Sequence, residues 1–319
     1  MLIRNMHEGH MRNLEKYKGV LPAFYACYDD DGHVSPERVR ALTEYFVKKG
    51  VKGIYVNGSS GECIYLRPEE RKIIIENVME VVKSHPEHRL TVICHVACNN
   101  TEDSQDLAAH AEKCGVDAIA SIPPIYFHLP PYAIAQYWND ISSAAPNTDF
   151  VIYNIPQLAG VALTRELFAE MRKNPRVIGV KNSSMPVQDI QMFKMDAGED
   201  YIIFNGPDEQ FISGRIIGAE GAIGGTYGVM PELFLAMNDA LKAGNLDHAR
   251  DIQYAADAVI YKMCSARGNM YAVIKEILRI NEGIDIGGVR LPLAPLTDED
   301  KPIAEEAAKM IRDARAKYL

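Results

Sequence analysis

A lysine closes an apolar run at Val177-Ile178-Gly179-Val180-Lys181. Two readings fit Lys181: a strand-end lysine whose ammonium reaches solvent, or an amine held against an apolar wall. Such a wall disfavours the charged form and lowers the pKa, exposing a neutral nucleophile able to form a Schiff base with a carbonyl. Tyr153 ends the preceding apolar run, 150–153. A phenol there could relay protons between the amine, a substrate carbonyl and a departing aldehyde oxygen. The plain alternative is a core tyrosine whose hydroxyl is satisfied locally. Gly58-Ser59-Ser60-Gly61-Glu62 follows another run. Its backbone N–H groups and the Ser59 and Ser60 hydroxyls suit a carboxylate or phosphate, although the same residues also make a routine strand-to-helix loop. Glu62 is expected to brace that loop. In Asn205-Gly206-Pro207-Asp208-Glu209, the two carboxylates either hold sugar hydroxyls or merely open a helix.

These residues need a frame that brings them together, and the pattern around them supplies one. Apolar runs at 20–25, 51–56, 90–95, 118–122, 150–153, 177–180, 201–204 and 221–223 alternate with amphipathic stretches. Helix starts are marked by Ser35-Pro36-Glu37, Arg67-Pro68-Glu69-Glu70, Thr101-Glu102-Asp103 and Thr164-Arg165-Glu166. Gly50, Gly115 and Gly244 stand where C-caps belong. The strands are nearly continuous in apolar character, as strands buried on both faces are. No glycine-rich phosphate turn follows the first run, which counts against a doubly wound open sheet. The fold class expected is α/β, a (β/α)8 TIM barrel with a C-terminal helical extension. Within one domain, residues 18–230 are assigned to the barrel core and 231–319 to the helical region that includes the last barrel helix. Residues 1–17 form an N-terminal extension. In such a barrel the strands' C-terminal ends share one rim, so a lysine, a tyrosine and paired hydroxyls after different strands would meet there.

Composition narrows the partners. The chain has 319 residues, with 34 Lys and Arg against 43 Asp and Glu, a formal net charge of −9. That balance argues against a polyanion such as nucleic acid, whose binding needs clustered positive charge, while a few placed donors still suit a small carboxylate. No stretch approaches the apolar length of a membrane span, and residues 1–17 lack the apolar core of a signal peptide. The six cysteines are irregularly spaced, which fits reduced thiols in a cytoplasm. Cys94 and Cys98 are expected to pack in a strand; together with His7 and His10 they make a weak case for metal, because no further ligands follow.

At these residues the sequence resembles the N-acetylneuraminate lyase and dihydrodipicolinate synthase family of pyruvate-dependent class I aldolases. The likeness runs from about Gly19 to at least Met230, with a weaker helical match beyond. It is carried by Gly58-Ser59-Ser60-Gly61-Glu62, Tyr153-Asn154-Ile155-Pro156, Lys181 and Gly221-Ala222-Ile223-Gly224-Gly225-Thr226-Tyr227. The resemblance implies that Lys181 forms the imine with pyruvate or another 2-keto acid, that Tyr153 moves the proton, and that Ser59 and Ser60 hold the carboxylate. It implies that Ser183, Gly206, Asp208, Glu209 and Gly225 lie along the rest of the substrate, and that Tyr126 reaches a neighbouring subunit's site in a homotetramer. It implies no metal and no organic cofactor, because the protonated imine is itself the electron sink.

Departures from the family pattern choose among its activities. Synthases carry an arginine where this chain has Leu158, and an apolar side chain cannot replace a bidentate cation. Gly206-Pro207-Asp208-Glu209 and Ser183 resemble the lyases, although the lyase pattern has serine at Gly225 and asparagine at Gly228. The first expectation is therefore cleavage of N-acetylneuraminate to N-acetylmannosamine and pyruvate. Another 2-keto-3-deoxy sugar-acid aldolase, or 4-hydroxy-tetrahydrodipicolinate synthase, is the alternative within the family. Outside it stand a ligand-binding sensor on the same barrel and a protein-interaction module built on the acidic surface and helical tail.

Overall fold

A computed structural model describes residues 13–319; His7 and His10 lie outside the described residues. Eight strands run parallel: β1 (Gly19–Pro22), β2 (Gly53–Val56), β3 (Thr91–His95), β4 (Ala118–Ser121), β5 (Asp149–Asn154), β6 (Val177–Asn182), β7 (Ile202–Asn205) and β8 (Gly221–Gly224). Their order is β1-β8-β7-β6-β5-β4-β3-β2. An Ala23–Tyr55 bridge brings the two ends of the sheet together. The result is the expected TIM barrel.

Each helix forms where the local chemistry permits a start and forces a stop. Ser35 accepts a hydrogen bond from the Arg38 N–H to open α1 (Pro36–Lys49), and Gly50 closes it in the left-handed region. Glu70 reaches back to the Arg67 N–H to start α2 (Pro68–Ser84). Asn100, rather than Thr101, caps α3 (Thr101–Cys114), because its side-chain oxygen accepts from the Asp103 N–H at 2.7 Å. The outer ring continues with α4 (Pro131–Ala144), the one-turn α5 (Pro156–Ala159), α6 (Arg165–Met171), α7 (Gln188–Ala197), α8 (Phe211–Ile216) and α9 (Pro231–Lys242). Beyond it lie α10 (Leu246–Cys264), α11 (Met270–Glu282) and α12 (Lys301–Tyr318). α12 packs on α9, α10 and α11, which ties the tail to the barrel.

Two apolar bodies hold the fold together. One lies between strands and helices. The other fills the barrel interior with Leu21, Tyr55, Ile93, Val151, Tyr153, Ile178, Phe204 and Ile223. Tyr17 plugs the bottom, its hydroxyl 2.7 Å from both the Asp117 carbonyl and Asp149 Oδ2. The first apolar run ladders only as far as Pro22, with isolated bonds from Ala23 to Gly224 and from Phe24 to Tyr55 beyond it. Phe24 and Tyr25 are nonetheless fully buried, so apolarity marks burial there and not pairing. No described helix is long and apolar enough to cross a membrane.

Candidate active site

The register of β5 against β6 sets Tyr153 beside Lys181. Lys181 sits one residue inside the end of β6, not past it, so its side chain projects into the barrel mouth and is buried. Its Nζ lies 3.8 Å from the centroid of the Tyr153 ring and 4.2 Å from that of Tyr55. Burial between these rings lowers the Lys181 pKa to about 7, against a smaller upward pull from Asp208. At pH 7 about half of the amine is then neutral, against roughly one in three thousand for a lysine of ordinary pKa. Tyr153 moves the other way: burial raises it to about 12, opposed by the Ser59 and Ser183 hydroxyls beside it. It is a neutral phenol at physiological pH, able to relay a proton by accepting one as its own passes to the neighbouring Ser59 or Ser183 hydroxyl.

Behind the lysine, the Tyr55 hydroxyl meets His95 Nδ1 at 3.0 Å, and the His95 ring stands edge-on to Tyr153. Burial, then the Arg71 and Lys181 charges, hold the His95 pKa well below its usual value, so it is a neutral imidazole. The Lys181 amine therefore has aromatic and neutral neighbours, with Asp208 the carboxylate that acts on it.

The 58–62 segment folds as a compact turn, with Gly61 N–H on the Gly58 carbonyl and Glu62 N–H on that of Ser59, both at 3.0 Å. Gly58 and Gly61 permit it, since a Cβ on Gly58 would strike the Tyr55 ring at 2.5 Å. Ser60 donates to the Tyr271 hydroxyl at 3.1 Å. Glu62 points away from the rim into a buried ion pair, so it braces the loop as expected. On the opposite wall, Gly206 is required: a Cβ there would lie 2.0 Å from Ser183 Oγ. Asp208 does more than open a helix. Its Oδ2 accepts from both the N–H and the hydroxyl of Thr226 at 2.6 Å, which ties the loop after β7 to the loop after β8. Burial raises the Asp208 pKa to about 7, opposed mainly by Thr226.

A cavity of about 330 Å³ gathers Ser59, Ser60, Tyr153, Lys181, Ser183, Gly206, Asp208, Glu209 and Gly225. Leu158 lines the same mouth. Tyr126 is not among these residues: it is 86% exposed, in the left-handed region, stacked edge-on against Phe127 at a separate hollow. Three residues that the sequence did not single out complete the site. Tyr55 and His95 look like strand filling in any apolar run, and Tyr271 arrives from α11, far along the chain. Tyr25 adds a fourth contact, donating to the Gly225 carbonyl at 2.6 Å. Cys94 and Cys98 belong to no cluster able to hold a metal among the described residues.

The chain is similar to known proteins along nearly all of its length. The model of the Dihydrodipicolinate synthetase family matches residues 16–311. A curated N-acetylneuraminate lyase of Mediterraneibacter gnavus is 74% identical over 309 residues, covering 97% of this chain and 97% of that protein. A solved structure described as a Ruminococcus gnavus sialic acid aldolase catalytic lysine mutant superposes with a TM-score of 0.95 at 73% identity, over 97% of this chain and all of the other. CdNal from Clostridium difficile, solved in complex with mannosamine, gives a TM-score of 0.86 at 27% identity, covering 95% of this chain and 99% of that one.

Proposed function

The chain belongs to the dihydrodipicolinate synthetase family, and from that membership we propose that it splits N-acetylneuraminate into N-acetylmannosamine and pyruvate through an imine on Lys181. The observation that carries the reading is the Lys181 amine itself, buried between two phenol rings and about half neutral at pH 7. The neutral Nζ adds to the C2 keto group of the open-chain sugar acid, and the carbinolamine takes up one proton from solvent as it loses water, which leaves a protonated imine. Tyr153 relays the proton of the C4 hydroxyl as the C3–C4 bond breaks, accepting it while its own phenolic proton passes to a neighbouring Ser59 or Ser183 hydroxyl. The electron pair of the broken bond moves into the imine to give an enamine, and the relayed proton is later returned to C3. N-acetylmannosamine leaves as the aldehyde, C3 is protonated, and hydrolysis returns pyruvate and the free amine.

The 59–60 hydroxyls and the backbone N–H groups around them receive the carboxylate, while Ser183, Gly206, Asp208 and Glu209 line the wall along which the polyol extends. Leu158 at the mouth leaves no guanidinium for a second carboxylate, which weighs against a synthase. One observation favours a second reading, another 2-keto-3-deoxy sugar acid as substrate. A Cβ on Gly225 would lie 3.1 Å from Ser60 Oγ, and one on Gly228 would lie 2.5 Å from the Tyr25 hydroxyl. Ser60 thus crowds the position where the lyase pattern has serine and Tyr25 fills the one where it has asparagine, which changes the hydrogen bonds offered to the sugar.

We also assign the protein to a homotetramer in the cytoplasm, with barrel and tail acting as one unit. The exposed Tyr126, Phe127 and Tyr132 are suited to an interface, and six free thiols suit a reducing compartment. The test of substrate is pyruvate release from a panel of sialic acids and aldonic 2-keto acids, with pyruvate plus aspartate semialdehyde as the synthase arm. Release is expected from N-acetylneuraminate. Turnover of only an aldonic acid, or only condensation with the semialdehyde, would overturn the substrate while leaving the Lys181 chemistry standing.

A further inference from the structure

α11 meets the 58–62 turn at two points one helical turn apart. The first is the Ser60–Tyr271 hydrogen bond. The second is an ion pair between Lys275 Nζ and Glu62 Oε1 at 2.8 Å, with side-chain exposures of 2% and 0%. Glu62 holds φ at 54°, a left-handed conformation disfavoured for a residue with a side chain. Such a conformation persists only when its surroundings over-determine it. Three donors do so: Lys275 Nζ, the Tyr28 hydroxyl at 3.1 Å and the Arg290 N–H at 2.9 Å. Lys275 donates again to the Gly288 carbonyl at 2.5 Å. The Arg290 guanidinium grips Glu70 of α2 through two nitrogens, at 2.8 and 2.9 Å. Tyr28 presents its ring to both cations, 4.8 Å from Lys275 Nζ and 4.7 Å from Arg290 Cζ.

We propose that Lys275 is a positioning residue for substrate binding: by neutralising the buried Glu62 carboxylate it holds the 59–60 hydroxyls where the substrate carboxylate docks. This rests on the assignment of Ser59 and Ser60 to that carboxylate. Lys275 is not among the residues that line the Lys181 cavity, so its influence must pass through the turn. Removing one partner of a buried pair leaves an uncompensated charge, a strongly unfavourable state. Glu62 relieves it by swinging away. That movement loosens a backbone conformation that its side-chain bonds maintain, together with the Glu62–Ser59 and Gly61–Gly58 bonds that shape the turn.

The test compares Lys275→Met with the unmodified enzyme, counting active sites by borohydride trapping of pyruvate on Lys181. The expected result is a rise on the order of tenfold in KM for the sugar acid and in Kd for pyruvate, with kcat per trapped site nearly unchanged. Lys275→Met/Glu62→Gln, which removes both charges of the pair, is expected to recover much of that affinity. An unchanged KM, or a loss confined to kcat or to the number of trapped sites, would overturn the proposal. Should Lys275→Met fail to fold, Tyr28→Phe removes a single donor from Glu62 and must still raise KM. If Ser60→Ala and Ser59→Ala both keep normal pyruvate affinity, the carboxylate assignment itself is wrong and Lys275 falls with it.

Discussion

The Lys181 amine lies between two phenol rings, and the acid limb of kcat/KM should follow its titration. Lys181 and Tyr153 are legible in the sequence because each ends an apolar run, where a polar residue is out of pattern. Tyr55 and His95 were not visible, because an aromatic residue inside a run fits the pattern; only closure of the barrel turns their rings toward the lysine. Asp208 was visible as a carboxylate, but its grip on Thr226 across two loops is a contact that no local signal carries. At this scale the acid limb of kcat/KM reports the free-enzyme amine. With Lys181 lowered to about 7, kcat/KM should rise about tenfold per pH unit below 7 and level off above it. The Asp208 carboxylate raises the Lys181 pKa, so Asp208→Asn should move that limb to lower pH. A limb still climbing at pH 9, or one unmoved by the substitution, would contradict the electrostatics.

The elements themselves were largely legible. Strand positions followed from continuous apolar runs, and Ser35 and Gly50 bound α1 as their chemistry requires. The uncertain places were those where burial and pairing part company, as beyond Pro22, and where two polar residues compete for one cap, as at Asn100 and Thr101. Glycines at the rim are set by neighbours distant in sequence. A Cβ on Gly206 would lie 2.6 Å from the Asn182 carbonyl as well as on Ser183 Oγ. Because backbone cannot rotate away, Gly206→Ala should lower kcat/KM by on the order of 10² through displacement of the β6–β7 loops. Gly244, at φ +74° with open space around it, provides the contrast: Gly244→Ala should cost about 1 kcal/mol of stability and leave KM untouched. Denaturant melts beside steady-state kinetics on the two variants separate the effects, and a Gly206→Ala enzyme with normal kcat/KM would contradict the close packing.

For the whole molecule, the barrel with its helical tail was legible from the alternation and its end after residue 223. What the tail does was not legible, because α11 reaches the site through tertiary packing and delivers Tyr271 and Lys275 from a stretch that reads as an ordinary amphipathic helix. The exposed aromatic patch around Tyr126 belongs to this scale as well. Light scattering of the unmodified protein should give four times the chain mass of 35.5 kDa, and Tyr126→Ala should shift it toward smaller species. A single-chain mass for the unmodified protein would remove the tetramer and the role assigned to Tyr126. The central claim is the imine on Lys181, and it is tested most directly by borohydride reduction in the presence of N-acetylneuraminate, followed by peptide mass analysis. The account predicts free N-acetylmannosamine and a reduced pyruvyl group on Lys181; an unmodified Lys181 alongside continued cleavage would contradict it.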